Sequence, residues 1–432
     1  MSASLVIQNP KRDNESRSGS ASWYPYYAGF SPAFARKAIE SAGLCPESHI
    51  GDPWNGSGTT TTIAAELGFS AYGFDLNPVM VIAAKARALS LRETPSLWPI
   101  AVDILKKAEN LFHITSIVDD PLSTWFRTKT VHNIRNVEGA IQLLLVDAEK
   151  YQSLLYRNNF NGISDLAAFY YVALFRTVRS LLTTFFTSNP TWTKKPKNEA
   201  QLLEVPAESI AEAFKQEVLG MVATLREVVS EIACVHGEIQ LGVASSEALP
   251  LINHAVDFIL TSPPYCTRID YAVATMPELA ILGYSLEGDF EELRRRLIGT
   301  STVPKASPTV ESVWGDTCCK FLFRLQSHES KASKTYYYKN HLQYFEAMFK
   351  SMAELRRILK PGGTCVMVVQ DSYYKEIHND LPQILIEMGN ANSLHLTRRE
   401  DFGHNKNMAK INPRAKNYRQ TFRAMESVLC FS

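Results

Sequence analysis

The 432-residue chain is long enough to bury large cores in two or three domains. With 45% hydrophobic and 21% charged residues it has the composition of an ordinary soluble globular protein, and a formal charge of +1 excludes a global attraction to nucleic acid. Seven scattered cysteines with no C-x-x-C pair exclude a disulfide framework and a zinc site, and point to a reducing, cytoplasmic setting.

Residues 1–22 lack the apolar stretch of a signal peptide and read as a disordered tail. The aromatic run "WYPYYAGF" leads into a helix from about Pro32. A short strand, "HIGDPW", hands over through the glycine turn "NGSG" to a helix starting at Thr59. A second strand, "SAYGFDL", ends in an acid at Asp75. Asn77-Pro78 then opens another helix, because proline suits a first helical turn. Strand, glycine turn, helix, strand and acid make a βαβ unit.

From about Leu91 to His236 helical periodicity replaces the strand signal, so 92–236 is expected to be a helical insertion. Its most apolar segment, "DLAAFYYVALFRTVRSLLTTFF", holds Arg176 and Arg179 at its centre and reads as a buried helix, not a membrane span. Strands resume with "EIQLGVAS" and "AVDFILTS", and a helix near "MPELAILGY" leads into an irregular second insertion, 285–339. The helix "NHLQYFEAMFKSMAELRRIL" stops at Lys360-Pro361-Gly362-Gly363. The strand "TCVMVVQDS", a helix near "DLPQILIEMG", and the strands "NSLHLTRREDF" and "MESVLCFS" follow. The expectation is an α/β fold: a Rossmann-like, mostly parallel sheet with helices on both faces. Residues 23–91 and 237–432 build it, and its site lies at the strand C-terminal ends.

Two strand ends carry the chemistry. Gly56 and Gly58 let the backbone turn sharply and let a ligand approach closely, and the helix beyond offers free N–H groups. Asp75 can accept from two vicinal ribose hydroxyls, so the pair suits a nucleoside-containing cofactor. It is not a dinucleotide fingerprint, because Thr61 stands where the third glycine belongs. The other strand end, "LTSPPY", breaks an apolar run with a hydroxyl, two prolines and a tyrosine, which by itself fits a plain turn as well as a site.

Taken together the motifs resemble those of amino-group DNA methyltransferases. Asp52-Pro53-Trp54-Asn55-Gly56-Ser57-Gly58-Thr59-Thr60 is similar to the family's D-P-F-x-G-S-G-T-T, with Trp54 in place of phenylalanine. Gly73 to Pro78 resembles the acidic segment that follows it, and Ser262-Pro263-Pro264-Tyr265 the catalytic [D/N/S]-P-P-[Y/F]. "YPYYAGFSPAFARKAIE" resembles the segment that closes over S-adenosylmethionine, and "RILKPGGTCVMVVQDS" the later core helix and strand.

The resemblance implies a class I methyltransferase fold, S-adenosylmethionine as cofactor, double-stranded DNA as partner, no metal and no membrane. It implies cofactor contacts from Tyr27, Phe30, Asp52, Trp54, Gly56, Ser57, Gly58, Thr59, Asp75, Asn77, Ser245 and Thr261. The usual acid after the third strand is absent, Val243 following Gly242, so Ser245 or Ser246 takes that contact. Ser262, Pro263, Pro264 and Tyr265 are expected to clamp a flipped base: acceptors for its amine, and a ring face for stacking.

Serine at 262 goes with cytosine N4 in this family and aspartate with adenine N6. The alternatives to cytosine N4 are adenine N6, an RNA amine, and an inactive cofactor-binding nucleic-acid-binding protein. Cys266 reads as a small buried residue, not a nucleophile. The motif order resembles the alpha type and makes 92–236 the expected target-recognition domain, with 285–339 as runner-up. Local positive charge gathers in the loop with Lys194, Lys195 and Lys197, at Arg268, at Arg294 to Arg296, and from Arg398 to Arg423. A cognate restriction or defence partner is compatible with all of this.

Overall fold

A computed structural model describes residues 5–11, 19–24, 29–111, 119–146, 162–187, 192–228, 237–266, 270–302, 308–404 and 424–432. Short apolar runs form β1 (His49–Asp52), β2 (Ser70–Asp75), β3 (Ile239–Val243), β4 (Val256–Thr261) and β5 (Leu359–Gln370). After β5 come a hairpin of β6 (Ser372–Tyr374) and β7 (Ile377–Asn379), then β8 (Leu396–His404) and β9 (Ala424–Phe431). The main sheet has the order β3-β2-β1-β4-β5-β9-β8, with β1 to β5 parallel and β9 antiparallel to both neighbours. This mostly parallel α/β sheet is the class I methyltransferase fold. Chain order reverses between β1 and β4, so their C-terminal ends flank the crevice where such sheets bind ligands.

Both sheet faces are covered, and the period of two decides which residue meets which layer. Phe258, Leu260, Val366 and Val368 face α1 (Pro32–Glu40) and α2 (Thr59–Glu66). Ile259, Cys365, Met367 and Val369 face the opposite layer. The helices α3 (Pro78–Arg87), α4 (Thr94–Glu109), α5 (Thr128–Leu145), α6 (Asp165–Leu181) and α7 (Ala207–Val228) share one further core. The short α8 (Tyr271–Ala274) and α9 (Met276–Ile281), which follow β4, join it.

The helix α6 is the apolar segment with two central arginines. Arg176 pairs with Glu217, and Arg179 with the fully buried Glu278. No described helix is long and apolar enough to cross a membrane. The 285–339 segment is more regular than its sequence suggests, with α10 (Asp289–Arg296), α11 (Asp316–Ser327) and a π-turn at Ser333–Tyr337 running into α12 (Tyr338–Ile358). Only Phe290 and Leu293 of α10 are buried, too few to print a helical period among its charges. The last helix, α13 (Leu381–Ala391), packs against α11 and α12.

Candidate active site

At the crevice the Asp52 carboxylate ties three elements together. Its Oδ1 accepts from the Thr261 hydroxyl at the end of β4 (2.6 Å) and from the Trp54 amide (3.1 Å). Its Oδ2 accepts from the Thr60 hydroxyl in α2 (2.6 Å), which also reaches the Leu260 carbonyl at 2.9 Å. Burial pushes this carboxyl up to about 7 against the pull of those hydrogen bonds, and the nearby Asp75 adds to the rise. Asp52, Thr60 and Thr261 thus fix the turn and the β4 end relative to one another, with their polar atoms directed inward.

The glycine turn lies on β2. Gly56 and Gly58 have φ of 50° and 87°, in the left-handed region. A Cβ on Gly58 would stand 2.9 Å from the Ala84 Cβ, and one on Gly73 would stand 2.5 Å from the Asn55 side chain. Arg87 of α3 donates to the Ser57 carbonyl at 2.7 Å and pins the turn from behind.

Asp75 accepts from the Gly56 amide at 3.1 Å and the Asn77 amide at 2.8 Å, one on each oxygen. A carboxylate oxygen has room for a second donor, so both still suit ribose hydroxyls. The enclosing protein pushes its carboxyl up to about 6. The α2 N-terminus begins at Gly58 and carries no side-chain cap. A glycine cradle, a half-filled acid and an uncapped helix start fit an adenosyl amino-acid cofactor.

The remaining expected contacts divide. Ser57 and Thr59 are buried in the turn itself. Asn77 caps α3 and donates to the Thr275 hydroxyl at 2.9 Å, so it links β2 to the stretch after β4. Ser245 accepts from the Glu247 amide at 3.2 Å. Phe30 is buried against Phe34, 5.3 Å between ring centres, within the α1 layer. Tyr27 and Arg268 lie outside the described residues, as does 405–423 with its cations. Arg294 pairs with Asp270, which also accepts from the Ser301 hydroxyl.

The Ser262–Tyr265 run leaves β4 with its backbone braced from outside. Tyr344 of α12 donates to the Pro264 carbonyl at 3.0 Å, and burial holds its phenol protonated well above the usual range. Gly299, at φ 81°, presses so closely on the Tyr265 carbonyl that a Cβ would come within 2.5 Å of it. None of the described residues hydrogen-bonds the Pro263 carbonyl or the Ser262 hydroxyl. Tyr265 is half-buried, and Cys266 is buried and in no disulfide. Tyr344, Gly299 and Arg87 escaped the sequence reading, since no local pattern sets them apart from packing residues. Among the described residues no group of three potential metal ligands converges.

Residues 256–432 match the family model described as DNA methylase, the N6/N4 type, which covers Ser262 to Tyr265 but not the glycine turn or Asp75. The chain is 26% identical over 317 residues to the Type II methyltransferase M.BsoBI of Geobacillus stearothermophilus. That alignment takes in 66% of this chain and 56% of the relative, so the chain spans little more than half of that protein. It is 23% identical over 400 residues to the Type II methyltransferase M.MvaI of Kocuria varians, covering 86% of this chain and 81% of the relative.

Proposed function

This chain belongs to the N6/N4 amino-methyltransferase family of DNA methylases, and from that premise we propose that it methylates the exocyclic N4 of a cytosine flipped out of double-stranded DNA, using S-adenosylmethionine. The observation that carries the proposal is the split between two carbonyls. Pro264 O is taken by Tyr344, while Pro263 O and Ser262 Oγ have no partner among the described residues. Two rigid acceptors, side by side at the end of β4, match an NH₂ group.

An aromatic amine is a poor nucleophile because its lone pair is delocalised into the ring. Accepting both N–H bonds at Ser262 and Pro263 favours a pyramidal nitrogen whose lone pair is directed outward. The acceptors are preorganised, since Tyr344 and Gly299 fix the following peptides and proline fixes its own φ. The Tyr265 ring supplies the stacking face for the flipped base. When bound, S-adenosylmethionine supplies an electrophilic methyl on its sulfonium. Asp75 would hold its ribose hydroxyls, and the Gly56–Gly58 turn its amino-acid end. Asp52 acts at one remove, keeping the turn and the clamp in register.

The resemblance of Ser262 to the serine of cytosine-N4 enzymes favours cytosine over adenine. The test is methylation of mixed-sequence duplex DNA with labelled S-adenosylmethionine, followed by nucleoside mass spectrometry. N4-methylcytosine is the expected product. N6-methyladenine would overturn the base assignment alone, and no methylated nucleoside would overturn the enzymatic function. The Type II relatives suggest a modification role beside a restriction partner.

A further inference from the structure

Beyond β5 the chain turns at once into the β6–β7 hairpin, and the hairpin packs against the π-turn at Ser333–Tyr337 that leads into α12. Resting on the DNA substrate proposed above, we propose that hairpin and π-turn together form a sequence-independent contact surface for duplex DNA. Its lysines take phosphates of the strand beside the flipped base, and its tyrosine rings pack against the sugars between them.

Place comes first. β5 runs parallel beside β4, with Met367 level with Thr261. The hairpin that opens at Ser372 therefore leaves the sheet on the same rim as the Ser262–Tyr265 run, one strand over. The π-turn reaches that run as well: the Tyr336 hydroxyl donates to the Ser301 carbonyl at 2.7 Å, two residues past the glycine that abuts the Tyr265 carbonyl. Neighbouring strands lie only about 5 Å apart, whereas the major groove of DNA alone is about 12 Å wide. A duplex that presents a base to Ser262–Tyr265 covers this part of the rim too.

The surface is held rigid. At the hairpin base, Asp371 accepts from the Met425 amide of β9 at 2.9 Å and lies 3.0 Å from His378 Nε2. The buried Ser333 hydroxyl donates to the Tyr374 hydroxyl at 3.0 Å. The Ser330 amide donates to His328 Nδ1, so Nε2 keeps the ring proton and donates to Glu376 at the hairpin tip (2.9 Å). Tyr337 stands between Tyr336 and Tyr374, its ring centre 4.9 and 4.2 Å from theirs. Half-buried rings fixed in this way lose little freedom on binding. Two backbone features are uncommon and adjoin each other: Lys375 at the tip has φ of 51°, and π-turns gather at functional sites.

Charge decides the partner. Lys331 and Lys334 are exposed and Lys339 is half-buried, and none of the three forms an ion pair with a described residue. Lys375 lies over the Tyr374 ring, 5.8 Å from its centre. Arg295 and Arg296, exposed at the end of α10, continue the patch, because Gln343, one helical turn beyond Lys339, donates to the Arg295 carbonyl at 3.1 Å. The exposed acids among them are Glu292, Glu329 and Glu376, and His328 ties Glu376 back. So local an excess of cations, in a chain of net charge +1, suits a polyanion. Rings interleaved with lysines favour a sugar–phosphate strand over an acidic protein surface.

Fluorescence anisotropy of the full chain with a labelled mixed-sequence duplex, over a salt series with S-adenosylhomocysteine present, tests this directly. The triple variant Lys331→Gln, Lys334→Gln, Lys339→Gln should weaken duplex binding on the order of tenfold at about 0.1 M salt. Its salt slope should fall by about 0.9 for each lysine that holds a phosphate. Methylation by the same variant should show a raised KM for DNA, with kcat near the parent. Lys106→Gln, Lys107→Gln, Lys129→Gln removes the same charge from exposed positions on α4 and α5, and should leave binding near the parent. A rim variant that binds duplex like the parent, or loses no more than this second triple, overturns the contact surface and leaves the methyltransferase reading to its own product test. A changed set of methylated sequences overturns its sequence independence. If the unsubstituted protein neither binds nor methylates duplex DNA, the function proposed above fails and this surface with it.

Discussion

The helices between 92 and 236 and the segment 285–339 interrupt the same sheet, yet they meet it in different ways. The first set merges with the fold. Its helices share a core with α3 and α9, and two buried arginines fasten it to the stretch after β4. Arg135 pairs with Asp120 and Glu138 and donates to the carbonyls of Ala280 and Ile281; Arg179 pairs with Glu278 and donates to Ala274. The second is smaller and meets the Ser262–Tyr265 run, through Gly299 on the Tyr265 carbonyl. The larger, expected target-recognition region has most of its described apolar surface committed to the core. Among its described residues, an exposed loop carries Trp192, Lys194, Lys195 and Lys197.

If that contrast holds, damage to the first region should strike stability and damage near the second should strike turnover. Arg179→Met leaves Glu278 charged and uncompensated in the interior, and should cost about 3–5 kcal/mol of unfolding free energy in urea. A loss below about 1 kcal/mol would break the picture of a welded region. Tyr265→Ala should remove roughly 1–3 kcal/mol of transition-state stabilisation with cofactor affinity unchanged, and Tyr265→Phe should stay near the parent. Parallel titration and single-turnover assays check both, and a parent rate in Tyr265→Ala would return the run to a plain turn. Gly299→Ala forces a Cβ into the left-handed region and onto the Tyr265 carbonyl. About 1–2 kcal/mol of strain should appear in single-turnover methylation more than in S-adenosylhomocysteine affinity.

Asp75 belongs to neither insertion and serves as the internal reference. Its folded carboxyl, pushed up to about 6 by burial, binds a proton more readily than the unfolded one at 3.8. Stability from this group is therefore greatest when it is protonated and falls as pH rises from about 4 to about 6; Asp52, at about 7, extends the same fall. Cofactor affinity should move the opposite way, weakening as pH drops through about 6 because an ionised acceptor is lost. Calorimetric titration across that range should show the inflection, and Asp75→Asn should erase it. The smallest effect is expected at the first region's loop. Neutralising Lys194, Lys195 and Lys197 should weaken binding to all duplexes and lower the salt slope by about 0.9 for each phosphate that a lysine no longer neutralises. A changed recognition sequence would make that loop a base reader instead.

What the sequence by itself determined rests on local backbone rules. Gly56 and Gly58 announce a left-handed turn, Asp75 ends an apolar run, and proline pairs cannot continue a strand, so each motif's position at a strand end was legible from the motif. The alternation of Phe258, Ile259 and Leu260 told of a sheet buried on both faces. Tertiary structure decided everything that depends on which distant residue arrives. It committed Asp52 to Thr60 and Thr261, residues 8 and 209 positions away, and so made it a brace within the turn. It also chose Pro263 over Pro264 as the open carbonyl, through a tyrosine 80 positions downstream. It left Asn340 with a buried side-chain oxygen that has no partner among the described residues, on a helix where an asparagine carries no sequence signal. Hydrogen bonds form between atoms within about 3 Å, and separation along the chain does not enter that condition.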